Sequence, residues 1–127
     1  MEQKTIFLVD DDMTNLTVGA AALSDCYNVF TFASGRLLLK RLEKQIPDMI
    51  LLDVNMPEMS GYEVIGQIKQ KKETSNIPVI FLTANSDGDS ELEGLSLGAI
   101  DYVMKPFSPP DLLKRLELHL PTVNDGE

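Results

Sequence analysis

Short apolar runs alternate with longer amphipathic stretches along the 127-residue chain. Runs of about five residues that are rich in Ile, Val, Leu and Phe are typical of strands covered on both faces. The alternation of such strands with helices predicts an α/β fold built around a parallel sheet with right-handed crossovers. The five predicted strands are Thr5–Val9, Asn28–Phe32, Asp48–Leu52, Pro78–Leu82 and Ile100–Met104.

Apolar residues recur at helical spacing between the strands, so each of these stretches predicts an amphipathic helix. Ser34 and Ser108 are suitable N-caps for the second and fifth helices, and Pro109 and Pro110 fit the first turn of the fifth. Gly98 can end the fourth helix. The apolar positions are Leu16, Ala20 and Leu23 in the first helix, Leu38 and Leu42 in the second, Val64, Ile65 and Ile68 in the third, Leu92 and Leu95 in the fourth, and Leu112, Leu113, Leu116 and Leu120 in the fifth.

Chain length and composition restrict the kind of protein. A chain of this size supports one core and is too short for two domains, so we predict one domain over residues 4–120 and a short tail over 121–127. The net charge of −9 disfavours direct binding of nucleic acid or anionic lipid. No apolar run approaches the length that spans a bilayer, and the single cysteine, Cys26, excludes an internal disulfide framework. We therefore predict a cytoplasmic protein.

Polar residues follow four of the predicted strands. Asp10–Asp12 follow the first strand, Asp53 the third, Thr83 the fourth and Lys105 the fifth. The carboxyl ends of parallel strands share one edge of a sheet, which is where open α/β folds bind ligands. Carboxylates brought together there repel each other unless a cation compensates them, and Mg²⁺ prefers such oxygen ligands. The pattern predicts a cation site that accepts a phosphoryl group, although Asp12 alone fits a helix N-cap equally well.

Four sequence strings at these strand ends resemble one known family. They are FLVDD at 7–11, LLDVNMPEMSG at 51–61, FLTA at 81–84 and GAIDYVMKPF at 98–107. In this order they resemble the receiver domain of bacterial two-component response regulators, over about residues 4–120. The resemblance implies a flavodoxin-like (CheY-like) (βα)5 three-layer sandwich whose five-stranded parallel sheet has the strand order 2-1-3-4-5.

The resemblance also implies roles for the residues at the strand ends. Asp53 would be the phosphoacceptor, attacking phosphorus as a carboxylate nucleophile. Asp10, Asp11 and Asp53, with the backbone carbonyl of Asn55, would hold Mg²⁺ or Mn²⁺. Lys105 would pair with Asp53 at rest and contact a phosphoryl oxygen after transfer.

Signal output is likewise implied by the resemblance. Thr83 would hydrogen-bond the phosphoryl group, and Tyr102 would turn inward when Thr83 moves. This movement would alter the face formed by the fourth helix, the fifth strand and the fifth helix. The implied partners are a histidine kinase or histidine phosphotransfer protein as donor and a downstream protein or output domain as target, with a possible phosphorylation-dependent dimer.

Alternative functions remain open at this point. A flavodoxin shares the strand order, but three aspartates after the first strand would repel its phosphate group. A magnesium-dependent phosphatase with an Asp nucleophile usually has a general acid two residues later, where this chain has Asn55. The chain could also be a receiver fragment of a longer multidomain regulator or hybrid kinase. A receiver catalyses its own phosphotransfer and autodephosphorylation, so whether the word enzyme applies stays open.

Overall fold

The sheet has five parallel strands in the order β2-β1-β3-β4-β5, in a computed structural model that describes residues 3–84 and 94–121. Every neighbouring pair is parallel, so all strand carboxyl ends lie at one edge. The predicted fold class and strand order are confirmed. The strands are β1 (Thr5–Val9), β2 (Asn28–Phe32), β3 (Met49–Asp53), β4 (Val79–Thr83) and β5 (Asp101–Met104).

Side-chain caps fix where the helices begin. Asp12, Ser34, Ser60 and Ser108 each accept a backbone N–H from the first turn of the helix that follows them. The predicted caps Ser34 and Ser108 are confirmed, as is the N-cap interpretation of Asp12. The helices are α1 (Met13–Leu23), α2 (Gly35–Leu42), α3 (Gly61–Gln70), α4, of which residues 94–96 are described, and α5 (Pro109–His119).

The predicted boundaries of three strands were wrong by one residue. β3 and β4 each begin and end one residue later than predicted, so Asp53 and Thr83 are the last residues of strands. β5 begins at Asp101 instead of Ile100. Asp53 still lies in register with Leu82, and Thr83 with Met104, because ladder pairing continues to the end of the sheet irrespective of side-chain polarity.

Two apolar cores cover the two faces of the sheet, as expected for a three-layer sandwich. Alternate residues of β1 point to opposite faces: Phe7 belongs to the core under α2 and α3, and Leu8 to the core under α1 and α5. In the fourth helical region, Gly98 adopts a φ of 114°, which fits its predicted helix-ending role. Leu95 is 43% exposed and so does not sit on a buried face, contrary to its predicted position, and Leu92 lies outside the described residues.

The helices in the described part of the chain are too short to cross a bilayer, and none carries a sufficiently apolar stretch.

Candidate functional site

Asp10 directly follows β1 and is fully buried. Its N–H donates to the carbonyl of Phe32 at 3.1 Å, and its Oδ1 accepts the N–H of Asp12 at 2.9 Å. Asp11 lies between them with an exposed side chain. The two adjacent aspartates therefore reach the sheet edge from different depths, one inside the protein and one facing solvent.

Asp53 ends β3 with only 1% of its surface exposed. Its Oδ1 accepts the Lys105 ammonium at 2.9 Å and the N–H of Asn55 at 3.4 Å. Its Oδ2 is buried and has no hydrogen-bond partner among the described residues. A buried carboxylate oxygen without a partner is unfavourable, and such an atom is open to a ligand.

One carboxylate oxygen from each of Asp10, Asp11 and Asp53 lies within 4.8 Å of the other two. The structure thus brings together the three carboxylates that the strand ends predicted. Burial raises the pKa of Asp53 to about 6; hydrogen bonding to Lys105 opposes this, and the charge of Asp10 adds to it. The cluster has the donor set of a hard divalent cation, whose charge would favour the ionised carboxylates.

Lys105 provides the cation of the site from the loop after β5. Its Nζ lies 2.9 Å from Asp53 Oδ1 and 3.2 Å from Asp10 Oδ2. Burial by itself lowers the pKa of Lys105, but the two carboxylates outweigh it, so the pKa lies above its usual value. The Lys105–Pro106 peptide bond is cis, and the Lys105 N–H donates to the carbonyl of Thr83 at 2.7 Å.

Gly61 packs directly against the backbone of Asp53 and Val54, a role that the sequence analysis did not assign. Its N–H donates to the carbonyl of Val54 at 2.8 Å. A Cβ at this position would lie 2.4 Å from the carbonyl oxygen of Asp53 and 2.9 Å from Cα of Val54. Only glycine permits this approach. Glu58, in the loop between β3 and α3, has a positive φ of 69°, which is uncommon for a residue other than glycine.

Thr83 and Tyr102 lie on neighbouring strands, where Thr83 is in register with Met104 and Tyr102 with Phe81. Thr83 ends β4 and is 4% exposed, while Tyr102 is half-buried on β5 and packs against the core under α2 and α3. Both residues line a narrow cleft with Tyr62 and Phe81. Thr83 and Tyr102 therefore border the same cleft.

The comparisons with known proteins agree with this geometry. The family model described as "Response regulator receiver domain" matches residues 6–117. The chain belongs to this family. The chemotaxis response regulator CheY4 of Vibrio cholerae superposes on this receiver domain with a TM-score of 0.87 at 32% identity, covering 91% of this chain and 98% of that one.

Two further proteins are similar to this chain. A "Probable cyclic di-GMP phosphodiesterase" of Vibrio cholerae is 46% identical over 94% of this chain and 27% of its own length. The receiver domain of a sensor histidine kinase from Pseudomonas aeruginosa, solved with a magnesium ion coordinated in its active site cleft, has a TM-score of 0.82 at 32% identity, covering 91% of this chain and 96% of that one. The chain spans about half, or less, of the length of the curated relatives it matches.

A second polar cluster of this receiver domain lies between β5 and α5. Asp101 accepts Arg115 Nη1 at 3.1 and 3.2 Å, and its Oδ2 lies 2.8 Å from His119 Nε2. Burial would raise the pKa of Asp101, but His119, the N–H of Tyr102 and Arg115 together lower it. The sequence analysis missed this cluster, whose only signal was the helical spacing of Arg115 and His119 on α5.

Proposed function

We propose that this receiver domain accepts a phosphoryl group on Asp53 and switches its surface in response. The observation that carries the proposal is the buried Asp53, whose Oδ1 is bound by Lys105 while Oδ2 has no described partner. A nucleophile needs an electron pair that no hydrogen bond occupies and a charge environment that favours the transition state. Oδ2 is suited to act as the nucleophilic atom. Lys105 is suited to stabilise the negative charge that develops in the transition state.

The donor set fits Mg²⁺, or Mn²⁺ with the same oxygen ligands. Asp10, Asp11 and Asp53 would hold the ion together with the backbone carbonyl of Asn55. A bound Mg²⁺ would supply positive charge that offsets the carboxylates and the negative charge of a phosphoryl group. The magnesium ion in the cleft of the Pseudomonas receiver domain supports the choice of metal.

The transfer step exchanges one bond to phosphorus for another. A carboxylate oxygen of Asp53 forms a new P–O bond, while the P–N bond to the donor imidazole breaks and its electron pair returns to the ring nitrogen. Lys105, already within hydrogen-bond distance of Asp53, would then contact a phosphoryl oxygen. Thr83, at the end of the adjacent strand, would donate a hydrogen bond from its hydroxyl to another phosphoryl oxygen.

Propagation would start at the cleft that Thr83 and Tyr102 both line. Movement of Thr83 toward the phosphoryl group would open space into which Tyr102 turns, changing the face made by α4, β5 and α5. The partners that fit are a histidine kinase or phosphotransfer protein as donor and a downstream protein or output domain as target. A phosphorylation-dependent dimer and a cytoplasmic location complete the proposal.

Incubation with phosphoramidate tests this function with the chain as it stands. With Mg²⁺ the protein should gain one phosphoryl group, and a chelator should prevent the gain. Asp11→Asn should lose the metal dependence and most of the labelling, whereas Asp12→Asn, whose side chain caps α1, should label with Mg²⁺ like the wild type. Continuous release of inorganic phosphate from small phosphate esters, without a stable labelled protein, would overturn the proposal in favour of a phosphatase.

A further inference from the structure

The outer side of α2 concentrates positive charge on a chain whose net charge is −9. Lys40, Arg41 and Lys44 line a groove of ≈ 260 Å³ together with the apolar side chains of Phe32 and Leu37. We call these five residues the α2 patch. Leu37, Arg41 and Lys44 recur at helical spacing, so an apolar position and two cations share one side of α2 and the turn that follows it.

The cations of the α2 patch have no acidic partner in the part of the chain that the structure describes. No described carboxylate lies within 4.0 Å of any of the three. The nearest acid in sequence, Glu43, lines a different groove with Gln67. Leu37 is 51% exposed beside these charges. The patch therefore offers unpaired positive charge and uncovered apolar surface at the same place.

Arg41 packs against an aromatic ring of β2. Its guanidinium carbon lies 5.6 Å from the centroid of the Phe30 ring, a cation–π distance. Its Nε is buried without a hydrogen-bond partner among the described residues. Because packing against the ring restricts the rotamers of Arg41, pairing with a carboxylate costs less rotamer entropy than it does for a fully solvated arginine. An arginine in this setting is typical of residues that dominate an interface.

We propose that the α2 patch docks an acidic protein segment. An apolar side chain of the segment contacts Phe32 and Leu37, and carboxylates on either side pair with Arg41 and the two lysines. The overall charge of −9 repels a long polyanion such as RNA wherever it extends beyond the patch, whereas a short acidic segment with an apolar residue covers only the mixed groove and complements it.

The position of the patch separates it from the proposed switch. α2 lies next to β2, and the sheet order puts β2 and β5 at opposite edges. A segment bound to the α2 patch therefore leaves Tyr102 and the face around β5 uncovered. The receiver domain could hold this partner and a second one at the same time.

Fluorescence anisotropy with two synthetic peptides tests the proposal. The probe is a fluorescein-labelled peptide with a central Leu-Phe pair flanked by Asp and Glu, and its control carries Asn and Gln at the acidic positions. The acidic peptide should bind about 10-fold more tightly than the amide control, with affinity falling as salt rises. The double variant Lys40→Glu/Lys44→Glu should weaken binding of the acidic peptide about 10-fold, and Arg41→Gln about 5-fold.

Matched controls decide the outcome. Lys40 and Lys44 are exposed, so their substitution should leave the fold intact, as circular dichroism would verify. Arg36→Gln removes a cation of the same helix that lies outside the patch and should leave affinity within about 2-fold. Equal binding by wild type and the double variant, or by both peptides, overturns the proposal. Tighter patch-dependent binding of RNA or phosphatidylserine vesicles, or a dimer that the double variant abolishes, would also overturn it by naming another occupant.

Discussion

The ammonium of Lys105 lies 2.9 Å from Oδ1 of Asp53 and 3.2 Å from Oδ2 of Asp10, so one cation bridges the two buried carboxylates. Lys105→Ala removes this cation and should slow phosphorylation by phosphoramidate about 100-fold, because the transferring phosphoryl group loses a charged donor. The measurement is the initial rate of labelling followed by intact mass.

Metal binding provides the control for this variant. Lys105→Ala retains all three carboxylates and should still show Mg²⁺-dependent thermal stabilisation. Lys114→Ala, which removes an exposed lysine from α5, should label at the wild-type rate. Wild-type labelling kinetics in Lys105→Ala would contradict the role assigned to this ammonium.

Gly61 gives a test of how the site is supported. Gly61→Ala places a Cβ 2.4 Å from the Asp53 carbonyl, so the end of β3 or the start of α3 has to shift. We expect a loss of about 2 kcal/mol in the free energy of unfolding and markedly slower labelling. Gly66→Ala has nothing within 4 Å of the added Cβ and should instead stabilise α3 by about 0.5–1 kcal/mol. Equal effects of the two substitutions in urea denaturation would contradict this account.

The raised pKa of Asp53 predicts that its ionised carboxylate lowers the free energy of unfolding when no metal is bound. Because its pKa is about 6 when folded against 3.8 as the ordinary value, ionised Asp53 favours the unfolded chain as the pH rises. Without Mg²⁺, Asp53→Asn should therefore raise the free energy of unfolding by roughly 1–3 kcal/mol at pH 7.5 and by much less at pH 4.5. Asp25→Asn, at an exposed acid, should change little at either pH. A gain that did not depend on pH would refute this explanation.

The lowered pKa of Asp101 predicts the opposite pH dependence. A carboxylate whose pKa is depressed by folding stabilises the native state above its unfolded pKa and loses this contribution as the pH falls through the folded value. Asp101→Asn should therefore lower the free energy of unfolding by about 0.5–1 kcal/mol at pH 7 and by much less at pH 3. Urea denaturation at the two pH values measures this, and an equal loss at both would contradict the assignment.

The sequence predicted the elements that depend on local signals. Apolar runs and caps identified all five strands and the beginnings of α2 and α5, and the residues at the strand ends identified the acidic cluster. The boundaries of β3 and β4 were one residue early because the sequence marks the end of an apolar run, whereas the ladder continues through Asp53 and Thr83.

Features that depend on three-dimensional proximity could not be predicted in this way. The α2 patch combines Phe32 of β2 with side chains of α2, and the pairing of Asp101 with Arg115 and His119 joins β5 to α5. No periodicity specifies which side chains meet across two elements. Gly61 ends the LLDVNMPEMSG string, but only the three-dimensional structure shows how closely it approaches Asp53.

The central claim is that Asp53 carries the phosphoryl group, and intact mass of wild type and Asp53→Asn after incubation with acetyl phosphate and Mg²⁺ tests it most directly. We predict that wild type gains the mass of one phosphoryl group, that a chelator abolishes this gain, and that Asp53→Asn shows none while remaining folded. Magnesium-dependent labelling of Asp53→Asn to the wild-type level would contradict the account.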